Sequence, residues 1–171
     1  MRRKSFGNMR CPVARSLERV GEWWSILILR DAFHGLRRFD EFQKSLGVAP
    51  NMLTRRLNRL VEAGLLERRR YSEHPPRDEY VLTPSGRDFH SVLLALSAWG
   101  SRHFAPDEGA AVQLVNLRTG AVVEPVLVDA ATGEPIVGGS FAVVAGPGAD
   151  EAMRERLATR AARSFAAGEA A

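Results

Sequence analysis

The sequence predicts a mainly α-helical chain whose fourth helix runs straight into a β-hairpin, followed by a small β-ribbon annex and a terminal helix. Three observations carry this reading. Between Pro50 and Gly64, Leu53, Leu57 and Leu60 recur at i, i+4 and i+7, with Asn51, Thr54, Arg55, Asn58 and Glu62 on the opposite side of the helical wheel. Directly beyond Gly64, Leu65–Tyr71 alternates apolar with charged residues, Ser72-Glu-His-Pro-Pro76 reads as a turn, and Arg77–Thr83 pairs back. The charge also divides: residues 1–104 hold 19 Lys+Arg against 11 Asp+Glu, giving +8, whereas residues 105–171 hold 5 against 9, giving −4.

In chain order, Val13–Val20 makes a short helix with Val13, Leu17 and Val20 on one face, ended by Gly21. Trp23–Phe33 is apolar on nearly every side and reads as the central buried helix, with Glu22, Arg30 and Asp31 at its wet edges. Gly35 breaks the chain, and Phe39, Phe42 and Leu46 define a third helix. Gly47 turns into the fourth, where Pro50 suits the first helical position, Val48 can staple onto Leu53, and Gly64 supplies a left-handed stop. A helix–Gly–helix connection followed by a basic hairpin is the plan of a winged helix-turn-helix, in which one helix enters the major groove and the hairpin rides the neighbouring backbone. The basic front half suits a polyanionic partner, double-stranded DNA, although Arg outnumbers Lys about tenfold, which lowers the weight of any single arginine.

After the hairpin, Thr83-Pro84 starts a helix that runs to about Phe104 and displays Phe89, Val92, Leu93, Leu96 and Trp99. Leu94 and Ala98 widen that stripe beyond what one small core requires. The helix either packs on the annex or pairs with a copy of itself, and the need to match two DNA half-sites favours a homodimer. Pro106 to Gly109 form a linker. Ala111–Leu117 and Ala121–Val128 read as strands around Arg118-Thr-Gly120, and a second turn, Ala131-Thr-Gly133, follows 13 residues later. Gly138-Gly139 and Pro147-Gly148 close the annex, and Asp150 caps a terminal helix with a thin stripe of Met153, Leu157, Ala161 and Phe165. The domain reading is thus 1–104 for DNA binding and dimerisation, 105–148 for the ribbon, and 149–171 for the terminal helix and tail.

No apolar run reaches membrane-spanning length, and no signal core follows the basic start, so a cytoplasmic protein without membrane partners is expected. The single Cys11 leaves no internal disulfide framework. Catalysis would show a nucleophile–base pair, a phosphate loop or a metal cluster, and none is legible, so no enzyme and no cofactor is expected. The rival reading is a protein-interaction module whose basic face meets an acidic partner.

Six ordered segments then resemble one family: Cys-Pro-Val-Ala-Arg-Ser-Leu-Glu, Gly-Glu-Trp-Trp-Ser-Ile-Leu-Ile-Leu-Arg-Asp, Arg-Arg-Phe-Asp-Glu-Phe-Gln, Asn-Met-Leu-Thr-Arg-Arg-Leu-Asn-Arg-Leu, Gly-Leu-Leu-Glu-Arg, and Pro-Pro-Arg-Asp-Glu-Tyr-Val-Leu-Thr-Pro-Ser-Gly. Residues 9–104 resemble the HxlR family of bacterial winged helix-turn-helix regulators, relatives of the MarR type. The resemblance implies a homodimer that binds operator DNA and mostly represses, with some members answering electrophiles or oxidants through a cysteine near the N-terminus, and a small-molecule effector as a further partner. The annex resembles the C-terminal ribbon of longer members, where cysteine pairs at the two turns hold zinc. Here those turns carry no cysteine, so metal binding is not carried over.

The candidate DNA-contact set is Arg38, Asn51, Thr54, Arg55, Arg56, Asn58, Arg59, Arg68, Arg70 and Arg77. Asn51 and Thr54 sit on the first turn of the recognition helix, where side chains reach base edges. Arg68 and Arg70 share one strand face and Arg69 the other. Arg77 follows the hairpin tip, a natural phosphate contact, and Arg37 and Arg38 precede the third helix as backbone contacts. Cys11 has two readings: a small buried hydrophobe, or a redox-sensing thiol at a helix start beside Arg10 and Arg15. His34, His74, His90 and His103 show no metal-ligand spacing.

Overall fold

The computed structural model describes residues 5, 6, 8–137 and 141–168, with side chains described through Thr159. It divides after Gly109 into two compact units, Met1–Gly109 and Ala110–Ala171. In the first unit the order is α1 (Pro12–Val20), α2 (Trp23–Phe33), α3 (Phe39–Leu46), α4 (Pro50–Glu62), β1 (Leu66–Glu73), β2 (Pro76–Leu82), α5 (Pro84–Asp88) and α6 (His90–Phe104). The fold is mainly α with a two-stranded antiparallel wing.

The core assembles from the stripes the sequence displays. Ile28 and Leu29 of α2, Phe42 of α3, Leu53, Leu57 and Leu60 of α4 and Leu66 of β1 are fully buried, with Val48 in the same cluster at the entry to α4. Gly47 and Gly64 adopt φ of 63° and 71°, the left-handed stops between α3 and α4 and between α4 and β1. Glu41 reaches back to begin α3: its Oε2 accepts the Arg37 and Arg38 amides, each at 2.8 Å. Those two N–H groups hold the Glu41 carboxyl below its ordinary range. This contribution is present at neutral pH and is lost as pH falls through the lowered value.

Several expectations are corrected. Asp31 is not at a wet edge but 2% exposed; its Oδ1 accepts from Arg30 Nε and Nη2 at 2.9 and 2.7 Å, the guanidinium reaching the buried carboxylate from an exposed position. Trp23 is 75% exposed despite its place on the central helix. On α1 the buried residues are Ala14 and Val20, while Val13 and Leu17 face outward. The turn at residues 72–76 shrinks to His74-Pro75, because the strands extend to Glu73 and from Pro76; a bulge between Arg70 and Ser72 absorbs Tyr71.

The helix expected from Pro84 to Phe104 is two helices, broken at Phe89. Thr83 caps the first: its Oγ1 donates to the Gly64 carbonyl at 2.6 Å and accepts from the Gly86 amide at 3.0 Å. The Phe89 amide then takes the Gly86 carbonyl at 3.2 Å, an i→i−3 bond that tightens the last turn before Leu93 N–H bonds Phe89 and the new helix proceeds. Gly86 is buried against Leu65, the residue before β1, and a Cβ there would lie 2.0 Å from the Leu65 carbonyl oxygen. Gly86→Ala is therefore expected to destabilise the first unit by on the order of 3 kcal/mol. Urea denaturation measures this, and an unchanged midpoint would contradict the close approach.

The second unit is simpler than expected. In place of regular strands, the described residues show two isolated antiparallel bridges, Val115–Val122 and Val128–Pro135. Proline has no N–H to donate, so Pro135 ends its ladder, and Pro125 interrupts the stretch between them. The two turns do repeat each other. Asn116 Oδ1 accepts the Arg118 amide and Asp129 Oδ1 the Ala131 amide; Gly120 and Gly133 donate back to Asn116 and Asp129 at 2.8 Å. Asp150 Oδ1 accepts the Met153 amide at 2.9 Å at the start of α7 (Glu151–Gly168). Met153 and Leu157 are half-buried, whereas the side chains of Ala161 and Phe165, and the Gly138-Gly139 closure, lie outside what the structure describes.

Candidate nucleic-acid interface

The Leu53–Leu57–Leu60 stripe turns α4 so that Asn51, Thr54, Arg55, Asn58 and Arg59 all stand exposed. Thr54 Oγ1 donates to the Pro50 carbonyl at 2.9 Å, which leaves its methyl and an acceptor lone pair outward. Asn51, Arg55 and Arg59 form one i, i+4 column, Thr54 and Asn58 the next. Arg59 also lines an open cleft of about 460 Å³ with Arg15, Glu18, Arg19 and Glu62.

Arg56 departs from the candidate set. Its side chain is 11% exposed and its Nη2 lies 2.9 Å from Glu22 Oε2 at the entry to α2. The signal was present in the spacing: residue 56 is three after Leu53 and four before Leu60, hence on the inner face. There it ties α4 to α2.

The wing stands beside α4, with Arg68 opposite Tyr80 and Arg70 opposite Asp78. Arg70 Nε bonds Asp78 Oδ1 at 2.6 Å, Arg68 lies 3.7 Å from Asp78 Oδ2, and Arg69 pairs with Glu67. The Asp78 hydrogen bond, with Glu73 nearby, raises the Arg70 pKa further above its ordinary value. Part of the wing's positive charge is thus neutralised within the hairpin. Arg77, at the tip, and Arg55, on α4, have no carboxylate within 4 Å among the described residues.

A contact the sequence did not reveal fixes the wing's base. Arg38 bridges Glu79 as a one-residue third strand, the Tyr80 amide donates to the Arg37 carbonyl at 2.8 Å, and the Arg38 guanidinium lies 4.8 Å over the Tyr71 ring. The bulge that places Tyr71 has no clear sequence signature. Burial pushes the Tyr80 hydroxyl pKa up at the same junction. Cys11 occupies the N-cap position of α1 and is half-buried. His90 stacks on Phe33 at 4.5 Å, and His103 lies beside Trp99 and Phe104. Among the described residues no helix is long and apolar enough to cross a membrane.

An exposed amide-and-arginine helix face above a buried leucine stripe, with a clamped hairpin alongside, defines a winged helix-turn-helix DNA-binding domain. Comparisons with known proteins agree. Residues 19–108 match the model of the HxlR-like helix-turn-helix family. An uncharacterized HTH-type transcriptional regulator of Mycobacterium tuberculosis is 40% identical over 136 residues, covering 80% of this chain and 86% of that protein. The solved structure of a candidate transcription factor from Pseudomonas aeruginosa is 59% identical, with a TM-score of 0.62, covering 86% of this chain and 100% of that one. The redox regulator HypR in its oxidized form is 31% identical, with a TM-score of 0.52, over 56% of this chain and 100% of that one. The chain belongs to the HxlR-like helix-turn-helix family and is a transcriptional regulator with a helix-turn-helix DNA-binding domain. The relatives are regulators, not enzymes.

Proposed function

We propose that this regulator is a homodimeric repressor acting in the cytoplasm, whose two α4 helices read two half-sites of an operator while the wings hold the flanking backbone. The observation that carries the reading is the five-residue exposed face of α4, whose Asn, Thr and Arg side chains are those that pair with base edges and phosphates. In this reading Arg55 and Asn51 address bases, Thr54, Asn58 and Arg59 support them, and Arg38, Arg68, Arg70 and Arg77 meet phosphates; Arg56 positions α4 from within. Residues 1–104 supply DNA binding and dimerisation, and 105–148 and 149–171 form a metal-free ribbon and a tail. Repression follows when such a dimer occupies promoter DNA. Mobility shift with the DNA upstream of its own gene, competed by unrelated DNA, tests this; equal competition by both would favour the protein-interaction rival.

The dimer is supported by apolar side chains left outside the first core. Val92, Leu96 and Trp99 on α6 are 51%, 43% and 51% exposed, and Val13 and Leu17 on α1 are 67% and 43% exposed. Phe89 and Leu93 pack inward instead, so the α6 stripe divides between core and seam.

For sensing, Cys11 is the natural candidate, because it starts the helix that carries Val13 and Leu17 and its oxidation would act on the seam. The likeness to a redox regulator supports this reading. Oxidant or quinone is expected to change operator affinity of the native protein but not of Cys11→Ser. An equal response from both would leave Cys11 a residue of α1's N-cap alone, with a small-molecule effector acting elsewhere.

A further inference from the structure

The second unit buries little of its own apolar surface. Between Val112 and Val144, fourteen large apolar side chains are exposed, among them Leu117 at 97%, Val126 at 71% and Val143 at 66%, and among the described residues of this unit Ala149 alone is a buried apolar residue. Successive residues of an extended chain face opposite ways, so at on the order of 70 Å² each these side chains present roughly 500 Å² of apolar surface per face, the size of the ~300–600 Å² largest patch of a typical monomer and a substantial part of the ~800 Å² per partner of a standard interface. A patch of that size marks a contact surface.

Its chemistry selects the occupant. Residues 110–148 carry one arginine, Arg118, against Glu124, Asp129 and Glu134, a net −2. That sparse negative charge repels nucleic acid and anionic membrane surfaces and leaves an apolar protein surface as the match. The ribbon also repeats itself: the bridges Val115–Val122 and Val128–Pro135 lie 13 residues apart, with the same Asx-capped turn between their strands. A two-fold contact sets the same patch of two copies against itself, so an apolar ribbon finds a matching apolar surface in the ribbon of a second copy.

We propose that the ribbon of one chain is covered by the ribbon of a second copy, forming a dimer seam separate from that of α6. This rests on the homodimer reading but has its own observations and its own test. Two seams on one pair of chains make the second contact intramolecular, so each strengthens the other.

The experiment uses the full chain. In Val122→Glu/Leu127→Glu, both sites are exposed in the protomer, so its fold tolerates the change. Sedimentation equilibrium over a dilution series is expected to show the dimer dissociation constant raised at least tenfold, with an unchanged melting temperature for the first unit. Spin labels at Leu127→Cys in a Cys11→Ser background are expected to show dipolar coupling between copies, lost on mixing with excess unlabelled protein. The proposal is overturned if the dissociation constant is unchanged and the labels do not couple. It is equally overturned if the label at Leu127→Cys stays shielded from a soluble paramagnetic quencher at dilutions where the protein is monomeric, since the cover would then lie within one chain. If the ribbon variant dissociates and α6 variants do not, this seam stands and the α6 seam falls; the reverse result removes this one.

Discussion

Val92→Glu/Leu96→Glu is expected to give a protomer-sized mass by light scattering, provided the concentration lies below what the ribbon contact alone sustains, and to weaken operator binding by ~10²-fold or more. Both side chains are about half exposed on the protomer, so the substitution leaves the core of Ile28, Leu29, Phe42 and the α4 leucines untouched. What it removes is apolar surface that a partner would cover, at about 0.7–1.5 kcal/mol for each side chain, half of the full-burial figure because about half of each is already buried in the protomer. Each protomer then holds one half-site without the second as an anchor. Leu93 is a poor choice for this test, because it packs against the first-unit core and its loss would confuse instability with dissociation. An unchanged dimer mass and affinity would exclude α6 and turn attention to Val13 and Leu17 on α1.

The second large effect separates reading from holding. Arg55 stands on the outer face of α4 and Arg77 at the wing tip, and neither is tied to a carboxylate among the described residues. Arg55→Ala is expected to lower affinity for the best operator roughly 10- to 100-fold and to relax preference at one base pair per half-site. Arg77→Ala should weaken all sequences alike and lower the slope of log affinity against log salt by about one per protomer. By contrast, Arg70→Ala is expected to do less to affinity, because its charge is already shared with Asp78 and Glu73. Titration of each variant on operator and random DNA over a salt series reads all three.

The first unit was legible in sequence where one face of an element decides its fate. The spacing of Leu53, Leu57 and Leu60, the stops at Gly47 and Gly64 and the Thr83 cap are local signals, and each stands in the structure as read. What escaped were the partners of single charged side chains. Asp31 looked wet because charged residues usually are, yet it is buried and Arg30 of the same helix reaches it from the surface; Arg56 looked like one more surface arginine, yet Glu22 claims it. The Arg38–Tyr71 contact depends on a bulge, and a bulge shifts register without a distinctive residue type. The break at Phe89 was hidden because the apolar stripe passes through it with its helical spacing intact. In the ribbon, strand-like composition overstated order: Val-rich stretches promise strands, but Pro125 and Pro135 interrupt the ladder.

Selection of bound fragments from a random DNA pool, followed by methylation interference on the selected site, tests the central assignment most directly. The selected pool is expected to show two related half-sites whose centres lie about 10 base pairs, or a multiple, apart. Interference is expected at guanine N7 in the major groove of each half-site, and that guanine should lose its importance in Arg55→Ala. A selected pool with no shared sequence, or a consensus indifferent to every substitution on the outer face of α4, would contradict it.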